Sequence, residues 1–412
     1  MVKRRTFERT VCKVGDEIIR DRGRPEGVCA GGKMLKILML VPFPGVRGPV
    51  VKHTPRLVEG LKALGCEVVT EPWGRHRDDE SLPSKLTGRA GDIARVRRRL
   101  ANERFDVLVV KTSHEWPSLM RDIPLLAATR HVVPSIVLQF HGGRSDRLVA
   151  PGNHGFKLAS RALFRLSDGV LVLSFEEQME SRKFWPRGRF HVVANPFDLS
   201  AWDNYETKIL GEEEGEATLL FVGRLMEQKG IFDALSALSR LRDGTRCRLL
   251  VAGTGPDQQR IAERAGELGI TDDLVLAGHL TGDELARAYQ AADIFVFPTY
   301  WFEGFPTVLS EAMAAGLPIV TTRTRGIADH LKDGVNALFV PPREPAVLAE
   351  TIERLLGDVE LRRRMSLANR GKVREFAPEP VAAHYLKTLE TILEDARTAH
   401  PDPKQARSRN LR

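Results

Sequence analysis

Short apolar runs alternate with longer segments of mixed polarity along most of this chain. Runs of a few mostly apolar residues, such as 34–41 and 218–222, are typical of buried strands. The segments between them, such as 52–64, space their apolar residues as amphipathic helices do. Because strand and helix alternate in both halves, the pattern predicts an α/β fold of two doubly wound, Rossmann-like domains facing each other across a cleft. The other predicted strands are 66–70, 105–111, 135–140, 169–173, 191–193, 247–252, 274–277, 294–297, 318–321 and 337–340.

The pattern divides the chain into two folded domains, a final helix and two polar ends. The first polar end is rich in Gly and Arg and has no periodicity, so we expect it to be disordered. A buried run begins at Met34, which suggests that this methionine is the natural start. The predicted order is a disordered basic extension (1–33), a first domain (34–195), a second domain (196–376), a C-terminal helix (377–396) and a disordered tail (397–412).

Charge is divided unevenly between the two predicted domains. The net charge of the whole chain is +8, but residues 34–195 carry +10 and residues 196–396 carry −10. A basic first half suits an anionic acceptor or an anionic membrane surface. Opposite charges that help two domains dock are an equally good explanation. The amphipathic helix predicted at 156–166, with Lys157, Arg161 and Arg165 on one stripe, allows the same two interpretations.

Composition excludes several classes of protein. No apolar run approaches the roughly 20 residues of a membrane span, and the N-terminus has no long apolar stretch typical of a secretory signal. The four cysteines are scattered and form no C-x-x-C pair, which suits a reducing cytosol and argues against a zinc ribbon or a disulfide framework. We therefore expect a cytoplasmic protein, at most peripheral at the inner face of the cell membrane, with no nucleic acid partner.

The stretch 293–322 carries the most specific chemical pattern. A strand is followed by a polar loop, by Pro306 at a first helical position and by Gly316 just past the helix end. Backbone amides around Gly304, Phe305 and Thr307 would open the helix and could hold a diphosphate. Glu303 before the helix and Glu311 inside it could accept hydrogen bonds from hydroxyls on either side. Alternatively, both are ordinary glutamates, one favoured by the helix dipole and one solvated.

Three other loops follow predicted strands, where parallel sheets bind ligands. Gly45 lies in the loop after the first strand and is a candidate for donor binding, because backbone can approach a ligand closely there. The loop is not a G-x-G-x-x-G and so predicts no dinucleotide site. His141 follows the strand at 135–140 and is a candidate for a reaction centre. Arg224 and Lys229 follow the strand at 218–222 and are candidates for binding phosphate. The glycines around the last pair, Gly223 and Gly255, would allow close backbone approach.

Several motifs together resemble the retaining GT-B glycosyltransferases of family 4, also called group 1. The resemblance is dense over 218–356 and weaker in the first half, where it depends on the first strand, on His141-Gly142 and on Asn195. The motifs are Gly223-Arg224-x4-Lys229-Gly230, Gly253-Thr254-Gly255-Pro256, Ala292-Asp293, Glu303-Gly304-Phe305-Pro306 and Glu311-Ala312-x2-Ala315-Gly316-x-Pro318.

This resemblance implies a nucleotide-diphospho-sugar donor bound mainly by the second domain, with no other cofactor. It implies that Glu303 contacts the donor sugar, Glu311 the ribose, and Arg224 and Lys229 the diphosphate, with His141 beside the sugar. It also implies front-side attack, in which the leaving phosphate takes the proton of a glycan or lipid-linked acceptor. The final helix is expected to cross back onto the first domain. The chain has no Asp-x-Asp, which fits a metal-independent enzyme.

One segment departs from the family pattern. Where the family often has Gly-Gly-x-x-Glu, this chain has Arg325-Gly326-Ile327-Ala328-Asp329. The alternatives to a glycosyltransferase are another GT-B activity, such as a sugar-nucleotide epimerase or a phosphorylase, and a catalytically silent glycan-binding protein, because fold alone does not fix chemistry.

Overall fold

The structure is a computed structural model that describes residues 34–43, 45–46, 48–74, 76, 82–202, 216–241 and 246–399. The predicted extension 1–33, residues 203–215 of the predicted second domain and residues 400–412 of the predicted tail lie outside the described residues. Within these ranges the chain forms two parallel sheets of six strands each. The predicted two-domain α/β fold is confirmed.

The first sheet has the strand order β2-β1-β3-β4-β5-β6, and every neighbouring pair is parallel. Helices cover both of its faces, because parallel strands are joined by long crossover connections that are usually helical. Its elements are β1 (Lys36–Val41), α1 (Pro49–Ala63), β2 (Glu67–Pro72), α2 (Leu82–Asn102), β3 (Val107–His114), α3 (Trp116–Thr129), β4 (Ile136–Gly143), α4 (Asp146–Val149), α5 (His154–Leu166), β5 (Gly169–Val172), α6 (Phe175–Phe184) and β6 (Phe190–Val192).

The second sheet has the strand order β12-β11-β10-β7-β8-β9 and is also parallel throughout. Its elements are β7 (Ala217–Val222), α7 (Ile231–Leu241), β8 (Cys247–Ala252), α8 (Gln258–Glu267), β9 (Leu274–Gly278), α9 (Gly282–Ala291), β10 (Ile294–Phe297), α10 (Thr307–Ala314), β11 (Ile319–Thr322), α11 (Arg325–His330), β12 (Ala337–Val340), α12 (Pro345–Gly357), α13 (Val359–Lys372) and α14 (Pro378–Ala399). Short 3-10 turns cover Ser200–Trp202, Glu227–Lys229 and Val373–Phe376.

The last helix packs on the first domain and not on the second. Tyr385, Leu389 and Ile392 of α14 are buried in one core cluster with Leu57 and Leu61 of α1. The helix begins at Pro378, because proline needs no amide partner in the first helical turn, and it runs to Ala399. It therefore extends three residues into the segment predicted to be a disordered tail. Hydrophobic burial on this face joins the end of the chain to its first sheet.

None of the described helices is long and apolar enough to cross a membrane.

The two domains meet through polar contacts. Arg56 of α1 pairs with Asp198, which follows the first domain. The helices α6 of the first domain and α11 of the second domain are also in contact.

Candidate active site

The predicted anion site lies in the loop between β10 and α10. The prediction that Pro306 is the first helical residue is wrong by one position, because its ψ of 131° is extended and the helix begins at Thr307. Gly316, with φ +73°, lies just past the helix end as predicted. None of the described residues accepts a hydrogen bond from the backbone N–H of Gly304, Phe305 or Thr307. These donors suit an anion, since a helix N-terminus leaves its first amides unsatisfied.

Glu303 and Lys229 form an ion pair at the edge of this loop. The Lys229 ammonium donates to Glu303 Oε1, and the two side chains are 16% and 12% exposed. Lys229 comes from the 3-10 turn after β7, so the pair joins two loops of the second sheet. The Thr299 hydroxyl also lies 3.5 Å from Glu303 Oε1. Two side chains that the sequence assigned separately to phosphate and to sugar thus lie in direct contact.

Arg224 lies in the same loop as Lys229 but makes no ion pair with any described residue. Its side chain is exposed and available to an anion. The loop is held against the next one, because Leu225 N donates to Thr254 O at 3.0 Å. Gly255 packs so closely on Leu225 that a Cβ there would lie 2.1 Å from Leu225 O. Gly255 therefore contacts protein backbone, whereas a Cβ on Gly223 would meet the rings of Phe297 and Phe221 at 3.4 and 3.9 Å.

Glu311 is buried inside α10 and is not a solvated helical glutamate. It is 9% exposed, and its Oε2 accepts a hydrogen bond of 2.8 Å from the Tyr289 hydroxyl. Burial raises the pKa of the Glu311 carboxyl, and the hydrogen bond from Tyr289 lowers it in part. One carboxylate oxygen is thus fixed by protein. The other, Oε1, is left for a further donor.

His141 and Glu303 line the same cavity, which has a volume of about 190 Å³. The first domain contributes the ends of β3 and β4, and the second contributes the loop after β10. The residues around it are Ser113, Glu115, Gly142, Gly143, Arg144, Trp301, Phe302 and Gly304. β4 extends through His141 to Gly143, because Gly143 pairs with His114 of β3. The structure therefore brings the His141 and Glu303 of the sequence prediction together across the cleft.

The His141 ring is shielded and electrically neutral. Burial, followed by the nearby Lys111 and His53, lowers its pKa well below the ordinary value. Asn195 lies beside the ring, but neither ring nitrogen makes a well-formed hydrogen bond to a described residue. Buried ring nitrogens normally have partners, so this histidine suits contact with a ligand.

His53 is a site residue that the sequence analysis missed. Its Nδ1 lies 2.9 Å from Pro196 O, and its Nε2 lies 3.0 Å from Thr307 Oγ1. Burial lowers the His53 pKa to about 4, so the ring is neutral at pH 7. A carbonyl only accepts, so Nδ1 donates to Pro196 and Nε2 accepts from the Thr307 hydroxyl. The signal was present in α1, where His53, Leu57 and Leu61 share one buried stripe.

Lys111 is a second residue that was missed. It lies on β3, paired in register with Gln139 of β4, and is 5% exposed. Burial lowers its pKa to about 7, and its Nζ makes no hydrogen bond to any described residue. Lys111 therefore places a weakly basic amine behind His141, on the side covered by α1 and α14.

At two predicted donor-binding positions, Phe305 and Gly45, the backbone and not a side chain is available to a donor. The Phe305 ring stacks on Phe376 with centroids 4.9 Å apart and touches His330, so it packs within the second domain. Gly45 lies in the β1–α1 loop with φ +88° and open space around its Cα, next to residues outside the described ranges. Among the described residues there is no group of three or more His, Cys, Asp or Glu placed to hold a metal ion.

Comparison with known proteins agrees with this architecture. Residues 204–372 match the family described as "Glycosyl transferases group 1", and residues 50–201 match "Glycosyltransferase Family 4". An uncharacterised glycosyltransferase of Methanocaldococcus jannaschii is 33% identical over 193 residues, which is 45% of this chain and 49% of that protein. The chain thus spans about half the length of this relative.

A longer match is to a D-inositol 3-phosphate glycosyltransferase of Frankia alni, 30% identical over 90% of this chain and 97% of that protein. The solved structure of HepE from Anabaena in complex with UDP has a TM-score of 0.67 and 16% identity, and it covers 87% of this chain and 100% of that chain. This structural likeness shows the fold. The chain therefore belongs to the group 1 glycosyltransferases and has the GT-B fold.

Proposed function

We propose that this enzyme transfers a sugar from a nucleotide-diphospho-sugar donor to a glycan or lipid-linked acceptor. The observation that carries the proposal is the Glu303–Lys229 pair, at the amide-lined mouth of α10 and across one cavity from His141. The binding of UDP by the structurally similar HepE supports a nucleotide donor. The similarity to a D-inositol 3-phosphate glycosyltransferase supports sugar transfer to a polar acceptor.

In this proposal, each part of the donor meets a different group. The diphosphate lies on the amides of Gly304 and Thr307, with Arg224 and Lys229 supplying positive charge. The free oxygen of Glu311 accepts a hydrogen bond from a ribose hydroxyl. Glu303 gives up part of its contact with Lys229 and accepts from a hydroxyl of the donor sugar. His141 lies beside that sugar from the first domain.

We propose front-side attack with retention at the anomeric carbon and without a divalent cation. Lys229 and Arg224 stabilise the charge that develops on the leaving diphosphate, which takes the proton of the acceptor hydroxyl. In this proposal Glu303 pairs with Lys229 and accepts a hydrogen bond from a hydroxyl of the donor sugar, so it does not act as a nucleophile. This differs from retaining glycosidases, which use a second carboxylate to form a covalent intermediate. Proton NMR of the first product formed would show whether the configuration is kept.

We also propose that the surface formed by α3 and α5 makes peripheral contact with an anionic membrane. α3 and α5 pack together, and their exposed apolar residues include Met120 and Leu158, which are 67% and 69% exposed. Arg161 and Arg165 of α5 are exposed next to Leu158. Apolar side chains flanked by exposed cations suit an anionic lipid surface. Such contact would bring the cleft close to a lipid-linked acceptor at the inner face of the membrane.

A thermal-shift screen against nucleotide-diphospho-sugars tests the donor class. Ligand at ~100 times its dissociation constant would stabilise the protein by roughly 2.7 kcal/mol. The best donor is then used to measure release of nucleoside diphosphate. The release is measured once with free divalent cations present and once after EDTA has removed them. Glu303→Gln and Lys229→Ala should each lose most of the turnover. Glu227→Gln, an exposed neighbour of Lys229, is the matched control. Unchanged turnover in both site variants would refute the assignment.

A further inference from the structure

Arg325 begins α11 in a backbone conformation that is unusual for an arginine. Its φ is +36°, in the left-handed region that residues other than glycine rarely adopt. Its side chain is also buried, with the residue only 4% exposed. Arginine is seldom buried without partners, and backbone strain persists only where surrounding contacts hold it. The contacts of Arg325 therefore need an explanation.

The guanidinium of Arg325 reaches out of the second domain into the first. Its Nη1 donates to Ser145 Oγ at 3.0 Å. Four carboxylates of α4 and α6 surround it, with nitrogen–oxygen distances of 3.4 Å to Glu180, 3.5 Å to Glu177, 3.9 Å to Glu176 and 4.0 Å to Asp146. This contact reverses the charge pattern of the two halves, because the acidic half supplies the cation. Simple attraction between a basic and an acidic domain does not account for it.

Arg325 also holds the segment that carries Glu303. The Arg325 guanidinium lies 4.6 Å from the centroid of the Phe302 ring, and that of Arg144 lies 4.8 Å from it. Arg144 belongs to the first domain, so Phe302 is held by one cation from each side of the cleft. Phe302 precedes Glu303, and both line the cavity shared with His141.

The backbone next to Arg325 strengthens the same connection. A Cβ on Gly326 would lie 1.5 Å from Gly304 O, so only glycine permits α11 to touch this loop. The Asp329 carboxylate at the other end of α11 accepts a hydrogen bond of 2.8 Å from the Phe175 amide, at the start of α6. Both ends of this short helix thus contact the first domain or the Glu303 loop.

We propose that Arg325 is a positioning residue that clasps the two domains and holds the Phe302–Glu303 segment opposite His141. The proposal rests on the proposed function, because it gives Glu303 a role in contacting the donor sugar. The clasp acts on the closed cleft, while the second domain alone provides most donor contacts. Loss of the clasp therefore lowers the rate of the chemical step more than it lowers donor affinity.

Hydrogen exchange of the free protein tests the clasp without any donor. Arg325→Gly removes the guanidinium and also relieves the positive φ, so the variant is expected to fold. The Phe175 amide should exchange at least about tenfold faster in this variant, because its acceptor Asp329 lies in the other domain. Small-angle scattering should show a larger radius of gyration. Arg323→Gly is the matched control, since Arg323 is exposed and lies over Phe339 of its own domain.

Steady-state kinetics with the donor selected by thermal shift tests the positioning. In Arg325→Gly, kcat should fall about 10- to 100-fold with little change in donor KM, as a displaced reacting group would cause. Arg325→Lys should restore part of kcat, since it keeps the charge but loses the planar fork that contacts Phe302. Unchanged exchange and scattering would overturn the clasp, and unchanged kcat would overturn the positioning. Failure of the wild-type enzyme with every donor would instead count against the proposed function.

Discussion

His53 Nε2 accepts a hydrogen bond from Thr307 Oγ1 at 3.0 Å, and so the first domain contacts the first residue of the helix α10, which begins at the proposed donor site. The two residues are 254 positions apart in the chain. The other ring nitrogen donates to Pro196 O at the point where the chain leaves the first domain. One neutral imidazole thus joins α1, the start of the second domain at Pro196 and α10. Anything that changes this ring should change both stability and the donor site.

We predict that His53→Ala lowers the free energy of unfolding by about 1–3 kcal/mol. The substitution leaves the buried Pro196 carbonyl and the partly buried Thr307 hydroxyl without their partner. His53→Gln should lose less, because its amide can still reach Thr307. Urea unfolding followed by circular dichroism measures both. Equal stability of His53→Ala and the wild type would show that water replaces the ring at no cost.

The same residue predicts a loss of stability in mild acid. The folded-state pKa of His53 is about 4, below the ordinary value of 6.5. As pH falls below 6.5, the His53 ring becomes protonated in the unfolded chain but stays neutral in the folded chain. The free energy of unfolding therefore decreases until about pH 4. Between pH 7 and pH 5 this one residue should account for about 2 kcal/mol.

Comparison of variants isolates that contribution. His53→Gln does not titrate, so its stability should fall by about 2 kcal/mol less than that of the wild type over the same pH interval. The other buried histidines titrate in both proteins and cancel in the difference. His114 and His330, whose pKa values burial lowers to about 3, have the same sign. Parallel stability curves for the two proteins would contradict the pKa given for His53.

Tyr289→Phe should weaken donor binding through Glu311. The Tyr289 hydroxyl fixes Glu311 Oε2 at 2.8 Å, and the proposed ribose contact uses the other oxygen. Without this bond the buried carboxylate loses its orientation and its pKa rises further. We expect about tenfold weaker binding of the nucleoside diphosphate, which corresponds to about 1.4 kcal/mol. Isothermal titration measures it.

The 2′-deoxy and 3′-deoxy forms of the same nucleotide provide the control for Tyr289→Phe. They already lack one ribose hydroxyl, so the substitution should cost them less if that hydroxyl contacts Glu311. Equal losses for the ribose and deoxyribose forms would place the effect elsewhere in the second domain, where Tyr289 is fully buried.

The elements of the fold were predictable because their signals are local. The apolar runs that become β10 and β11, and the turn glycine Gly316, act on near neighbours. The same holds for Glu303 and Glu311, whose spacing across one helix start is visible in the sequence. The error at Pro306 is of one residue, since proline is accepted both at the cap and in the first turn.

The contacts between distant segments could not be predicted in the same way. Lys229 and Glu303 are 74 residues apart, and Arg325 and Glu180 are 145 apart. Each contact depends on how two loops or two domains are oriented, which no local pattern encodes. Arg325 was noted only as a departure from a glycine-rich motif, because an arginine at a positive φ needs partners that the sequence does not reveal. His53 was recognisable, as a polar residue within a buried helical stripe.

Gly255 offers a test of whether the Gly253–Pro256 motif is structural in this chain. We predict that Gly255→Ala costs about 1–3 kcal/mol of stability, because its Cβ would lie 2.1 Å from the Leu225 carbonyl oxygen. Gly266→Ala is the control. Gly266 lies in α8 with open space around it, so alanine there should raise stability by about 0.5–1 kcal/mol. Urea unfolding separates the two, and a neutral Gly255→Ala would mean that the loop moves freely.

The basic helix α5 predicts that membrane binding depends on salt and on lipid charge. We expect the protein to sediment with vesicles of phosphatidylcholine and phosphatidylglycerol, and not with phosphatidylcholine alone. Reversal of two exposed cations, in Arg161→Glu with Arg165→Glu, should weaken binding at least about 30-fold, since each basic residue near an anionic surface contributes about 1 kcal/mol. Leu158→Ser should also weaken it, because this side chain is 69% exposed and lies about one turn before those cations on the same helix. Leu367→Ser, at a 66% exposed leucine of α13 in the second domain, should have no effect. Binding that ignores lipid charge, or that falls equally with Leu367→Ser, would remove the membrane from the proposal and leave a soluble glycan as the acceptor.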